Sequence, residues 1–287
     1  FHPGAVNRSR KEQIYPGGKG INVSLLLAQL GVAFSALGFL AGFSGREIQN
    51  RLSSPLIRPQ FIELKEGLSR INVKFSDNQK ETEINASGPE IPQEAYNALL
   101  QQLGRLPSGS ILVLAGSIPP SLDSNCYTEI LQQTEGKGIL PVVDTSGPAL
   151  SAALSYRPFL IKPNHHELGE LFGRSLTRPA EALPYARELQ AQGARNVLVS
   201  FAGEGAFLLD ESGALHTAAA PKGVVRNSVG AGDSMVAGFL AGWRETADYE
   251  SAFRMAVAAG SASAFSEWMA SEEDIRRLSE QVVIRCE

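Results

Sequence analysis

"SILVLAGSI" (residues 110–118) is a short, almost continuous apolar run closed by glycine and serine. A strand buried on both faces has that make-up. The segment after it, "SNCYTEILQQTEGKG" (124–138), spaces its apolar residues at helical period, and "LPVVDTS" (140–146) is a second apolar run. The alternation continues through "FLIKPN" (159–164), the helical "RPAEALPYARELQAQG" (178–193) and "NVLVSFA" (196–202). Strand, helix, strand, helix in this order predicts an α/β fold, with a parallel sheet between two layers of helices. Nearer the start, "INVSLLLAQLG" (21–31) predicts a further helix that Gly31 stops.

Residues 70–88 follow another rule. "RINVKFSDNQKETEINASG" alternates apolar and polar residues around a polar "SDNQ", the pattern of an antiparallel hairpin with one solvated face. Inserted into an α/β chain, it predicts a small flap off the main sheet. The weak alternation in "AVNRSRKEQIY" (5–15) predicts a segment that joins it. No repeat, low-complexity tract or long linker divides the chain. The expected organisation is one domain over 1–287, with a lid from 5–16 and 68–88 and an α/β core from 17–67 and 89–287.

With 287 residues, 43% of them hydrophobic, the chain is long enough for a large core. A net charge of -4 argues against nucleic acid as a partner, because a phosphate backbone needs a basic face. No apolar run approaches the roughly 18 residues of a membrane span. The two cysteines, Cys126 and Cys286, match no metal spacing and fit a reducing, cytoplasmic compartment.

Several catalytic patterns are absent: the P-loop, the dinucleotide G-x-G-x-x-G, the G-x-S-x-G elbow and H-E-x-x-H. Adjacent His165 and His166 would point apart on a regular element, which favours surface or capping roles. Three other stretches carry chemistry. "NSVGAGDSMVAGFLAG" (227–242) sets Gly230, Ala231 and Gly232 at the mouth of a helix, where unpaired amides and the helix dipole attract an anion. Asp233 beside them suits a proton acceptor. Alone, this stretch reads equally as a turn with an acid in the first helical turn.

"GGKGIN" (17–22) places Lys19 among Gly17, Gly18 and Gly20 ahead of a helix, with Asn22 able to bond a hydroxyl. A loop with a solvated lysine is the alternative. In "IKPNHHEL" (161–168), Lys162 follows a buried strand, and Asn164 and Glu167 stand three apart, on one helical face. Hard oxygens so placed suit magnesium held through water, or else a helix cap with a first-turn acid. Arg70, heading the hairpin, stands where a guanidinium can clamp a phosphate.

Together these stretches resemble the ribokinase-like (PfkB-type) sugar kinases. "GGKGINVSLLLAQLG" and "NSVGAGDSMVAGFLAG" match the family's two signature regions, with "RINVKF", "AGSIP", "LIKPNHHEL" and "SFAGEGA" between them in the family's order. Within the family, these residues look most like 1-phosphofructokinase and tagatose-6-phosphate kinase. The resemblance implies a three-layer α/β sandwich with a mainly parallel central sheet and a β-hairpin lid. It also implies ATP-dependent phosphorylation of fructose 1-phosphate at the 6-hydroxyl, with tagatose 6-phosphate as the alternative substrate. Asp233 would be the base, and the amides of Gly230, Ala231 and Gly232 the anion hole. Gly18, Lys19, Asn22 and Arg70 would face the sugar phosphate. Lys162, Ser200, Gly203 and Gly205 would line the nucleotide, with Asn164 and Glu167 organising Mg2+. The helix "AVAAGSASAF" (256–265) would lie beside the adenine, and pairing of the flaps would make a homodimer.

Two departures stand out. Family members begin with a strand ending in an "N-P-x-x-D"-like acid, and this sequence starts beyond it at Phe1; the expectation is that this strand is omitted from the sequence. Ala202 stands where relatives usually carry glycine. A non-catalytic sugar-phosphate sensor on the same fold would be expected to lose Asp233, Asn164 or Glu167, and all three are present.

Overall fold

The computed structural model describes residues 4–76 and 81–287. Among them the largest sheet has seven strands, ordered Ile284–Cys286, Leu215–Ala218, Ala206–Leu209, Asn196–Ser200, Leu160–Ile161, Leu140–Asp144 and Ile111–Ala115. The four strands read from the apolar runs are parallel to one another. The other three, not assigned from sequence, continue the sheet antiparallel from Asn196–Ser200. The sheet is therefore mixed, with its parallel strands together and the antiparallel ones beyond Asn196–Ser200. The short connection 201–205 explains the change, because a hairpin can only return antiparallel, whereas a parallel neighbour needs a crossover. Two parallel pairs complete the core strands: Phe34–Ala36 with Ile57–Pro59, and Phe39–Ala41 with Ile62–Leu64.

Strand side chains alternate between the two faces, and the burial divides accordingly. Val143, Ile161, Val197, Val199, Phe207 and Leu209 pack on one face with helices Gln93–Gly104, Cys126–Thr134 and Pro179–Ala191. Val142, Leu160, Leu198 and Leu208 pack on the other with helices Lys19–Gln29, Ala231–Thr246 and Tyr249–Phe265. Full burial of each such side chain contributes about 1.5–3 kcal/mol. This is the expected three-layer sandwich. No helix among the described residues is long and apolar enough to cross a membrane.

Asn72–Ser76 and Glu81–Asn85 form the expected antiparallel hairpin, with Val73 opposite Ile84. Most of its "SDNQ" turn (77–79) lies outside the described residues. Both faces are open in the single chain: residues 71–75 and 82–85 are all exposed, the apolar Ile71, Val73 and Ile84 among them. Residues 5–16 form no strand and do not extend the hairpin. They run instead against the 267–268 loop, where Tyr15 stacks on Trp268 at 4.2 Å and Lys11 pairs with Glu267 at 3.2 Å.

Helix Ala231–Thr246 is buried from Asp233 to Gly242 because the sheet covers one side and helix Tyr249–Phe265 the other. Their contact is close at Gly238, where a Cβ would meet the Met255 carbonyl oxygen at 2.4 Å and the Ala259 Cβ at 2.7 Å. The substitution Gly238→Ala is expected to push the two helices apart and cost about 1–3 kcal/mol. A lowered urea midpoint would register this, and an unchanged midpoint would refute the close-contact account.

Candidate active site

Apart from Arg70, on the hairpin, the residues singled out from the sequence gather at the carboxyl ends of the parallel strands, where open α/β sheets place their ligand crevice. Asp144 ends one strand, Lys162 and Asn164 follow the next, and Ser200 ends a third. The helices beginning at Lys19, His165 and Ala231 supply the rest.

Gly230 caps helix Ala231–Thr246 at φ 78°, a left-handed backbone that favours glycine, and a Cβ there would meet the Met269 methyl at 2.7 Å. The Ala231 amide bonds back to the Ser228 carbonyl at 3.3 Å, so that amide is already engaged. The amides of Gly230 and Gly232 have no acceptor among the described residues. A Cβ at Gly232 would meet the Lys162 Nζ at 3.0 Å, so this ammonium lies directly beside the turn. Unpaired amides and a buried cation together form an anion seat.

Asp233 is buried, and its Oδ2 accepts a hydrogen bond from Asn22 Nδ2 at 2.7 Å. Burial, reinforced by the nearby Asp144 charge, holds its pKa above the usual carboxylate value, against the pull of Asn22, Lys19 and Lys162. A carboxylate with raised basicity suits proton acceptance. Asn22 Oδ1 is buried without a partner, in position to accept from a ligand hydroxyl.

Lys19 is the first residue of its helix rather than part of a loop before it, with Gly18 (φ 111°) as the cap. Its ammonium donates to Asp144 Oδ1 at 3.0 Å, and Lys162 lies 3.4 Å from the same oxygen. Burial lowers the Lys19 pKa, but Asp144, with help from Glu167 and Asp233, outweighs it and leaves the value above normal. Asp144 was not singled out from the sequence. Its signal was available: a carboxylate closing a buried apolar run has to find a charged partner.

Asn164 and Glu167 form a reciprocal capping box at the start of helix His165–Leu171. Asn164 Oδ1 accepts from the Glu167 amide at 2.8 Å, and Glu167 Oε2 from the Asn164 amide at 2.9 Å. The helix-cap reading is therefore realised, and it does not exhaust the acid, because Glu167 Oε1 takes no part in the box. No cluster of three or more metal-ligating side chains occurs among the described residues. Such a donor set suits a magnesium ion held chiefly by substrate phosphates and water, not an all-protein cage.

Ser200 and Asn164 are bridged between neighbouring strand ends. Gly205 (φ 102°) is obligatory, since a Cβ would stand 2.1 Å from the Ala218 carbonyl oxygen. With Gly203 it belongs to the turn beyond Ser200, which the bridge sets next to Asn164. His165 and His166 do not point apart: their ring centroids are 3.9 Å apart, and His165 stacks on Phe201 at 5.3 Å. Arg70 is exposed at the base of the hairpin and has no ion pair among the described residues. A cavity of about 490 Å³ among Leu154, Arg157, Gln190, Arg195 and Glu211 contains none of these site residues.

Comparison with known proteins agrees with this geometry. A family model for the pfkB family carbohydrate kinases matches residues 1–272. The 1-phosphofructokinase of Bacillus subtilis (strain 168) is 48% identical over 284 residues, spanning 99% of this chain and 93% of that protein. The D-tagatose-1-phosphate kinase of Bacillus licheniformis is 36% identical over 283 residues, spanning 98% and 92%. Among solved structures, phosphofructokinase-2 from Escherichia coli in complex with substrates and products is similar with a TM-score of 0.91. It is 30% identical, covering 98% of this chain and 92% of that one.

The glycine-to-alanine departure at position 202 has a visible cost. Ala202 adopts φ 49°, a left-handed conformation unfavourable for a residue with a Cβ. Replacing it, Ala202→Gly, is expected to raise the unfolding free energy by up to about 1 kcal/mol. Equilibrium urea unfolding measures this, and a loss of stability would show that the Ala202 methyl contributes more than its backbone strain removes.

Proposed function

This chain belongs to the pfkB family of carbohydrate kinases, and on that premise we propose that it transfers the terminal phosphoryl group of ATP to the 6-hydroxyl of fructose 1-phosphate, giving fructose 1,6-bisphosphate. The observation that carries this reading is the buried Asp233 carboxylate beside a glycine turn with two unpaired amides, flanked by Lys19 and Lys162. Asp233 accepts the proton of the sugar hydroxyl as its oxygen bonds to phosphorus and the bond to ADP breaks. The amides of Gly230 and Gly232 receive the oxygens of the moving phosphoryl group. Lys162, beside that turn, balances their charge, and Lys19 does so from the sugar side. Asn22 holds Asp233 in place and uses its free Oδ1 on the sugar. Asn164 and Glu167 would hold the magnesium that neutralises the nucleotide phosphates. Arg70, on the hairpin, approaches the sugar phosphate when the lid closes and water is excluded.

A second reading takes tagatose as the sugar. A relative named D-tagatose-1-phosphate kinase supports a form phosphorylated at carbon 1, and tagatose 6-phosphate remains an arm of the same panel. Turnover compared over fructose 1-phosphate and both tagatose phosphates separates these substrates. The reaction belongs to a reducing cytoplasm, in keeping with two unpaired cysteines, Cys126 buried and Cys286 exposed.

The whole chain acts as one kinase domain whose hairpin is both lid and dimer contact. Ile71, Val73 and Ile84 lie on one face of the hairpin and suit burial against the same face of a second copy. Light scattering at micromolar concentration is expected to give twice the chain mass, and Val73→Lys to give a monomer. A wild-type monomer would remove the dimer.

The base assignment is tested by Asp233→Asn. Its kcat is expected to fall about 10²–10⁴-fold, and a fall within tenfold would refute the role. Stability moves the other way. Because the folded pKa lies above the unfolded one, ionised Asp233 opposes folding at neutral pH, and this penalty fades as pH falls through the folded pKa. The variant should therefore melt higher than wild type at pH 7, with the gain shrinking in acid.

A further inference from the structure

We propose that Asp144 is a positioning residue of this site, its single carboxylate holding the ammonium groups of Lys19 and Lys162 converged on the glycine turn where phosphoryl transfer takes place. The proposal deepens the kinase reading and rests on it. Asp144 is the last residue of strand Leu140–Asp144 and its side chain is 0% exposed. Its Oδ1 stands 3.0 Å from Lys19 Nζ and 3.4 Å from Lys162 Nζ. The two lysines come from different elements, one opening helix Lys19–Gln29 and the other following strand Leu160–Ile161. Two ammonium groups at one point repel, and Lys162 is only 4% exposed, so water does little to separate their charges. A negative group between them is what keeps both in place.

The backbone beneath this carboxylate is held firmly. The Gly116 amide donates to the Asp144 carbonyl at 3.0 Å. The Gly116 carbonyl in turn accepts from the hydroxyls of Tyr127 and Thr145, each at 3.0 Å. These bonds lock the ends of two neighbouring strands together. A purely structural ion pair would satisfy its oxygens and lie away from the reacting groups. Here Oδ2 is buried with no partner, Lys19 lies within electrostatic reach of Asp233, and Lys162 reaches the turn at Gly232. The base takes its own hydrogen bond from Asn22, so the duties divide: Asn22 orients Asp233, and Asp144 orients the cations.

Steady-state kinetics and thermal unfolding of wild type, Asp144→Asn, Lys19→Met and the double variant test this. Asp144→Asn is expected to lower kcat about 100-fold, the scale of a misplaced charge, while KM for ATP and for sugar phosphate moves by less than about threefold. In the Lys19→Met background the same change should lower kcat by only about tenfold, because Lys162 is then the one cation through which it acts. A kcat of Asp144→Asn within threefold of wild type, or losses that multiply in the double variant, overturns the proposal. If Asp144→Asn does not fold, Asp144→Glu replaces it. That change keeps the charge but shifts the cations, and it should cost about tenfold in kcat; an unchanged kcat overturns the proposal. Should wild type phosphorylate no ketose phosphate, the kinase reading falls by itself. The positioning role is then read from the ¹⁵Nζ ammonium signals of Lys19 and Lys162 in slow proton exchange. These are expected in wild type and absent in Asp144→Asn or, where that variant does not fold, displaced in Asp144→Glu. Signals unchanged in the variant examined overturn the proposal.

Discussion

A carboxylate with no exposure to water, shared by two ammonium groups, is the constraint around which the crevice is arranged. Leaving one charge of such a set unpaired in the interior costs about 3–5 kcal/mol. Asp144, Lys19 and Lys162 are therefore bound to arrive together, although they lie far apart in the chain. Their meeting point is the carboxyl end of the sheet, where three strands stop and three helices start. The hydrophobic layers on both faces hold these elements in register, and the ion set makes their ends agree to within a hydrogen-bond length.

From this follows the electrostatic character of the site. The two ammonium groups are set against the carboxylates of Asp144 and Asp233, next to amides that have no acceptor among the described residues. Asp233 sits in a buried position, where desolvation raises its basicity and the lysines moderate the rise. Two buried oxygens without partners, Asn22 Oδ1 and Asp144 Oδ2, lie among these groups and leave hydrogen-bonding capacity for an incoming molecule.

The Asn164 end of the site shows one motif serving two ends. Asn164 and Glu167 cap a helix through a reciprocal pair of hydrogen bonds, which fixes the acid in one orientation. The cap and the proposed ion-organising role are compatible, since the box uses one carboxylate oxygen and leaves the other. Strain at Ala202 lies at the same end of the site, next to Gly203 and Gly205, where the chain reverses between antiparallel strands.

Local patterns in the sequence determined a good deal. The apolar runs at 110–118, 140–146, 159–164 and 196–202 read as buried strands, and their alternation with helical segments pointed to parallel neighbours. Glycine at 230 was legible because an anion-binding turn needs a backbone without a Cβ. Lys19, Asn22, Lys162 and Asp233 were legible as residue types suited to phosphate and proton chemistry. Tertiary structure decided the rest. The antiparallel half of the sheet depends on short strands whose pairing is set by hairpin geometry and burial, not by any pattern of their own. Residues 5–16 alternate weakly, yet stacking on Trp268 and pairing with Glu267 draw them elsewhere. Asp144 read as the end of a strand, because nothing local says which charges will surround a buried carboxylate. Electrostatic partnership is a property of distance in space, and only the packing of the three layers brings residues 19, 144, 162 and 233 within reach of one another.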